Sequence, residues 1–173
     1  MVEQRTENPR VGSSILPLAI VNDIATTAGR KREARMLDSV FAPYAGVGEL
    51  ILRLALGITF LAHGRGKLKN PAAFAGFLRQ IRVPAPLFSA WLVALLETVG
   101  AVLLILGVAT RLLALGLAID MVVALATVRI GKSRFASGPQ EAGWELEFLL
   151  LALSLALVFT GAGRLGLDHY LGI

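Results

Sequence analysis

The sequence predicts an all-α integral membrane protein, a four-helix bundle with a short interfacial amphipathic helix between helices one and two. Its 173 residues are 55% hydrophobic and only 17% charged, and the mean hydropathy is +0.70. Soluble domains usually carry about 25% charged residues. Almost all of the charge falls in residues 1–49, 65–82 and 129–147. The apolar blocks between those segments are too long for a soluble core, so they predict membrane spans.

Four apolar stretches are long enough to cross a bilayer, which takes about 20 residues for roughly 30 Å of hydrocarbon. Because backbone polar groups in lipid must be paired within their own segment, each stretch is expected to be an α-helix. The second and third helices are separated only by Ala109–Arg111, which predicts a tight antiparallel hairpin. The four stretches are residues 45–64, 87–109, 111–130 and 144–163.

The segment between the first two spans carries the signals of a short helix. Asn70 can cap its start with Pro71 at the first helical position, and Pro84 closes it. Its apolar residues fall at i, i+3, i+4 and i+7 and so form a single stripe. That pattern predicts a helix lying in the membrane interface. A helix folded over the end of the bundle would show the same pattern, and the two arrangements are compatible. The stripe consists of Phe74, Phe77, Leu78 and Ile81.

The bundle is predicted to be one domain, residues 45–165. Residues 1–44 are predicted to be a polar extension, partly disordered or interfacial, and residues 166–173 a C-terminal tail. A basic block at residues 30–35 precedes the first helix and favours a cytoplasmic N-terminus. With four spans, both termini are then expected on the cytoplasmic side of the cell membrane.

Composition excludes several classes of function. The chain has no cysteine, so any sulfur chemistry would use a partner or a bound cofactor. The two histidines, His63 and His169, are far apart in sequence, so no metal site is expected from this chain. No flavin, haem or iron–sulfur motif is present, and no basic patch interleaved with aromatic residues indicates nucleic-acid binding. The net charge of +5 suits contact with anionic lipid headgroups.

Ionisable residues inside the predicted spans are the candidate functional residues, since a charge within the membrane must face the bundle and pair. At 1.5 Å per residue, Arg53 lies at roughly 10 Å depth, Asp120 at roughly 13 Å and Glu97 at roughly 18 Å. These three are predicted to form one cluster. His63 and Glu147 both fall near roughly 25 Å and are predicted to form a second pair.

Two acids beside one arginine leave an excess of negative charge, so one carboxyl is expected to keep its proton. A protonatable carboxyl in that position suits proton-coupled quinone chemistry or a proton relay. A purely architectural cluster that fixes helix register explains the same residues equally well.

Five sequence segments together resemble the DoxX family. The opening of that family's pattern is matched by Arg53–Gly57 and by Phe60–Gly64. Its second helix and hairpin are matched by Trp91–Glu97 and by Leu103–Gly107. Its closing motif is matched by Gly161–Asp168. The similarity extends over most of the chain after the N-terminal extension, in the order and spacing of the family.

The resemblance implies a four-helix membrane protein related to a small subunit of thiosulfate:quinone oxidoreductase. Some family members are linked to oxidative-stress and thiol defence in complexes with other proteins. By position, Arg53, His63, Glu97 and Glu147 match polar positions of the family. Together with the charge cluster, the resemblance leads us to expect catalytic roles for Glu97 and Asp120, cofactor-binding roles for Arg53, His63 and Glu147, and a quinone as cofactor. Protein partners or a homo-oligomer are expected beside the lipid bilayer.

Three functions remain open at this point. The first is a quinone-linked oxidoreductase subunit. The second is a non-catalytic scaffold that recruits redox or stress-defence enzymes through its N-terminal extension and interfacial helix. A small transporter ranks last, because four helices without a broken-helix pair lack the usual transporter architecture.

Overall fold

The structure, a computed structural model, describes residues 26–27, 29, 31, 35–36, 38–129, 133–138 and 141–173. It divides into two compact units, Met1–Pro43 and Tyr44–Ile173. The helices described below belong to the second unit. Most of the predicted polar extension, residues 1–44, lies outside the described residues.

The described residues form helices and no strands, which confirms the all-α prediction. Within the described part of the chain, three helices are long and apolar enough to span a membrane: Gly46–Lys69, Pro86–Leu106 and Thr110–Thr127. The fourth predicted span corresponds to a helix of 16 residues, which is shorter than a typical span. In chain order the helices are α1 Ala45–Lys69, α2 Pro71–Gln80, α3 Pro86–Leu106, α4 Thr110–Ala124, α5 Glu145–Thr160 and α6 Leu167–Leu171.

The centre of the bundle is an apolar layer in which α1 packs along α3 and α4 packs along α5. Glycines allow α1 and α3 to approach closely, as small residues do between helices in lipid. A Cβ added at Gly57 would collide with Ile105, and one at Gly64 would lie 2.8 Å from the main chain of Glu97. Gly64 is therefore level with Glu97. The fully buried core side chains are Leu56, Phe60, Leu104, Leu117 and Leu157.

The predicted tight hairpin joins α3 to α4. Gly107 ends α3 in the left-handed conformation with φ of +74°, and its N–H donates to the carbonyl of Leu104 at 3.0 Å. The next N–H, of Val108, donates to the carbonyl of Leu103 at 3.0 Å. This glycine-terminated ending satisfies the last carbonyls of α3. The chain therefore reverses within three residues and starts α4 at Thr110.

The predicted amphipathic helix is α2, and its apolar stripe faces the bundle. Asn70 caps it by accepting the N–H of Ala73 at 3.0 Å, with Pro71 at the first position. The stripe packs on the first half of α3. In this contact Leu78 of α2 and Ala90 of α3 are buried. The helix therefore covers one end of the bundle, which is compatible with a position in the membrane interface.

Two π-helical segments interrupt the spans. Leu96–Gly100 lies within α3, and Leu125–Arg129 follows α4. A π turn adds a residue to the helical turn and shifts the side chains around it, and such turns are frequent at functional sites. The first segment contains Glu97, so the buried carboxyl predicted from sequence occupies a locally widened turn.

Residues 166–173, assigned from sequence to a tail, pack against the hairpin. Asp168 on α6 is buried, and its carboxylate accepts the N–H groups of Ala109 at 2.6 Å and Thr110 at 2.9 Å. Its own N–H donates to the carbonyl of Gly107 at 2.7 Å. Asp168 thus satisfies the first donors of α4 from a distant part of the chain, as an N-cap residue would.

Candidate functional site

A buried ion pair joins α1 to α3. Lys67 Nζ lies 2.7 Å from Glu97 Oε1, and the two side chains are 26% and 2% exposed, respectively. A carboxylate this deeply buried would be strongly destabilising without a cationic partner. Gly64, one turn before Lys67, allows α1 to approach Glu97 closely enough for the lysine to reach it.

Asp120 on α4 adds a second carboxyl to this pair. It lies within hydrogen-bonding range of the Glu97 carboxyl and is attracted electrostatically by Lys67. Two carboxyl groups can hydrogen-bond to each other only when one of them carries a proton. One oxygen of each group, Glu97 Oε2 and Asp120 Oδ2, is buried and has no hydrogen-bond partner among the described residues. Lys67, Glu97 and Asp120 therefore form one polar group inside the bundle.

A cavity of about 220 Å³ opens beside this group, between α2, α3, α4 and α5. Lys67, Asp120 and Glu147 contribute its charged wall, and Lys67 Nζ also lies 4.9 Å from the ring centroid of Phe74. An apolar cavity with a few convergent polar groups is the usual form of a small-molecule site. The apolar wall is formed mainly by Phe74, Phe77, Leu78, Ile81, Val83, Val93 and Met121.

The structure separates Arg53 from the cluster in which sequence placed it. Arg53 is 1% exposed, and its Nη1 donates to the carbonyl of Ile105 at 3.0 Å, next to Gly107. The prediction that Arg53 joins Glu97 and Asp120 is therefore wrong. The physical reason is that α1 continues to Lys69, five residues beyond its predicted end, so Gly64 rather than Arg53 is level with Glu97.

The other four predicted residues divide into two kinds. Glu97 and Asp120 come together as expected, and Glu147 lines the same cavity. His63 is exposed on α1 and is not among the residues that line the cavity. Of the five predicted residues, Asp120 and Glu147 line the cavity, Glu97 contacts it through Lys67 and Asp120, and His63 and Arg53 lie outside it.

Arg53 belongs to a second polar group at the hairpin end of the bundle. It is attracted electrostatically by Asp168 and by Glu49, which lies one turn earlier on α1. Gly163 packs against the Glu49 side chain. These contacts tie α1, the hairpin and α6 together, so this group stabilises the architecture.

Sequence reasoning missed Lys67, Glu49 and Asp168 as members of these groups. Lys67 lies beyond Gly64, the predicted end of the first helix, so it was not considered among the charges inside the spans. A signal for it was present, because Lys67 is one turn beyond His63 and follows Gly64 at i+3, on the same helix face. Asp168 lay in the segment assigned to the tail.

Comparison with known proteins agrees with this architecture. The DoxX family profile matches residues 39–130. The chain belongs to the DoxX family. The matched region contains Lys67, Glu97 and Asp120, whereas Glu147 lies beyond it.

Three similar proteins cover most of this DoxX chain. A Bacillus subtilis protein named "Putative oxidoreductase CatD" is 32% identical over 124 residues, 72% of this chain and 87% of its own length. An uncharacterized protein of Haemophilus influenzae is 33% identical over 119 residues, 68% of this chain and 86% of its own. An uncharacterized membrane protein of Mycobacterium tuberculosis is 32% identical over 132 residues, 70% of this chain and 80% of its own. No solved structure matches.

The DoxX site offers hydrogen-bond donors and acceptors in an apolar surrounding. Among the described residues, no group of three His, Cys, Asp or Glu side chains could hold a metal ion.

Proposed function

We propose that this DoxX membrane protein is a quinone-linked oxidoreductase subunit whose cavity beside Lys67 and Asp120 receives the quinone headgroup. The observation that carries the proposal is that Asp120 lines the cavity and has a buried oxygen, Oδ2, without a partner among the described residues. Reduction of a quinone takes up two electrons and two protons, so its binding site needs both an apolar wall and a proton source. The word oxidoreductase in the name of the Bacillus subtilis relative agrees with this proposal.

Each charged residue then has a distinct part. Lys67 Nζ donates a hydrogen bond to a carbonyl oxygen of the headgroup, and Glu97 positions Lys67 by holding it at 2.7 Å. Asp120 exchanges the proton, since it lines the cavity and lies against Glu97. Glu147 lines the wall on α5 and connects this site to the polar end of the bundle. The cavity of about 220 Å³ is below the usual range for drug-sized ligands, so it receives the ring and leaves an isoprenoid tail in the lipid.

Retained quinone in the purified protein tests the proposal. The protein is purified in a mild detergent, and extracted quinones are quantified by mass spectrometry for wild type, Lys67→Met and Asp120→Asn. Lys69→Met is the matched control, because Lys69 is exposed two residues further along the same helix. We expect wild type and the control to retain quinone, and the Lys67 variant to lose about tenfold, as loss of a charge-assisted hydrogen bond predicts.

Asp120→Asn separates proton transfer from binding. The amide keeps the size of the carboxyl but cannot release a proton at neutral pH. We expect retained quinone and lost quinone-dependent electron transfer in a membrane assay. Equal quinone content in wild type and Lys67→Met, or absence of quinone from wild type, would refute the proposed site.

A further inference from the structure

A second cavity, of about 550 Å³, lies at the end of the bundle where α4 begins and α5 ends. It is lined by the first residues of α4, by the loop after α5 and by α6. The proposed quinone site does not use any of these residues. Asp120, the residue of α4 that lines the quinone cavity, is ten positions after Thr110, so the two cavities are about 15 Å apart along α4.

The lining of this cavity is positively charged. Arg111, Arg164 and His169 contribute basic side chains, and Asp168 is the acidic side chain in its lining. Both oxygens of Asp168 already accept main-chain N–H groups, of Ala109 and Thr110. Asp168 also interacts electrostatically with Arg53. The aspartate is therefore compensated within the protein, and the two arginines retain an excess of positive charge.

Arg111 is exposed, and one hydrogen bond anchors its guanidinium group at the cavity. Its Nη1 donates to the carbonyl of Val158 at 2.8 Å. The guanidinium lies beside Gly161, where an added Cβ would come within 3.2 Å of Nε and 3.3 Å of Nη2. These two nitrogens form the edge that binds carboxylate or phosphate oxygens in a bidentate manner. Gly161, with φ of +76°, leaves that edge unobstructed.

We propose that this cavity binds a phosphate group, with Arg111 as the bidentate ligand and Arg164 as the second cation. Its position supports this chemistry, because Thr110 begins an apolar span and therefore lies at the level of the lipid headgroups. Basic residues at that level attract anionic phosphate, by about 1 kcal/mol each. The phosphate comes from an anionic phospholipid or from solution, and the test distinguishes these sources.

The test measures binding of two probes to the delipidated full chain in a non-ionic detergent. One probe is phosphatidylglycerol, followed by native mass spectrometry, and the other is inorganic phosphate, followed by the shift in Tm. The variant Arg111→Gln/Arg164→Gln removes both cations. Two contributions of about 1 kcal/mol predict roughly 30-fold weaker binding in this variant. The control Arg65→Gln/Lys69→Gln removes the same charge from exposed positions on α1 and is expected to bind as wild type does.

Lipid binding without a response to inorganic phosphate identifies a headgroup site, and a response to inorganic phosphate identifies a soluble ligand. Either result supports the proposal if the double arginine variant loses it and the control keeps it. Equal binding by wild type and the arginine variant, or equal loss in the control, overturns it. Circular dichroism checks that each variant folds. If the glutamine variant does not fold, Arg111→Lys/Arg164→Lys decides: weaker binding supports the bidentate site, and unchanged binding overturns it.

Discussion

Replacing Lys67 with methionine would leave the Glu97 carboxylate buried without a cation. Removing one partner of a buried ion pair typically lowers the free energy of unfolding by roughly 3–5 kcal/mol. Because the Lys67 side chain is 26% exposed, solvent screens part of this interaction, and we expect a loss of about 2–3 kcal/mol. Glu97→Gln is expected to cost about 1 kcal/mol, since Lys67 can then turn toward solvent. The double variant should be more stable than Lys67→Met alone, because it no longer contains the unpaired Glu97 charge.

The assay is equilibrium unfolding of the purified protein in mixed micelles, with the free energy of unfolding compared across wild type, both single variants and the double variant. This double-mutant cycle isolates the interaction between the two side chains. We expect a coupling energy of at least about 1 kcal/mol. Additive effects within about 0.5 kcal/mol would show that the 2.7 Å contact contributes nothing. The role of Glu97 in positioning Lys67 would then have to be abandoned.

Three further predictions concern architecture and orientation. Gly64→Ala would bring a Cβ within 2.8 Å of the Glu97 main chain and should lower the free energy of unfolding by about 1–3 kcal/mol, whereas Gly66→Ala, in open space, should not. Asp168→Ala removes the acceptor of two amide groups at the start of α4 and should lower the free energy of unfolding by about 2 kcal/mol in the same assay. Asp168→Asn should be less affected. Both termini are expected in the cytoplasm, so terminal reporters active only in that compartment should give signal, and periplasmic activity would reverse the orientation.

The spans and the hairpin could be predicted because bilayer thickness and loop length constrain them directly. About 20 apolar residues are needed to cross the hydrocarbon, and three residues between two spans permit only an antiparallel turn. The helix α2 was predictable because Asn70, Pro71 and the four-residue apolar stripe are local signals. Each of these features depends on residues close together in sequence.

The position of one helix relative to another along the bundle axis could not be predicted in the same way. The first helix was predicted to end at Gly64, because charged residues begin there. In the structure the helix continues through Lys69. Those five residues correspond to about 7.5 Å of helix. A shift of that size is enough to make Lys67, and not Arg53, the charged partner of Glu97. Close packing of Gly64 on Glu97 fixes the true level, and that contact depends on the tertiary fold. The π turn at Leu96–Gly100 further changes the direction of the Glu97 side chain.

The separation of the two polar groups bears on whether the intramembrane charges serve architecture or chemistry. Arg53 donates to a main-chain carbonyl and Asp168 accepts from main-chain amides, so that group is directed at the backbone of the hairpin. Lys67 and Asp120 instead contact other side chains, and both line a cavity. Both groups leave buried polar atoms without a partner among the described residues, so unpartnered atoms do not distinguish them. The cavities do, because a ligand site needs space beside its polar atoms, and Arg53 and Glu49 line neither of the two cavities described above. On that criterion Arg53 and Glu49 serve the architecture of the hairpin, whereas the proposed quinone chemistry belongs beside α2.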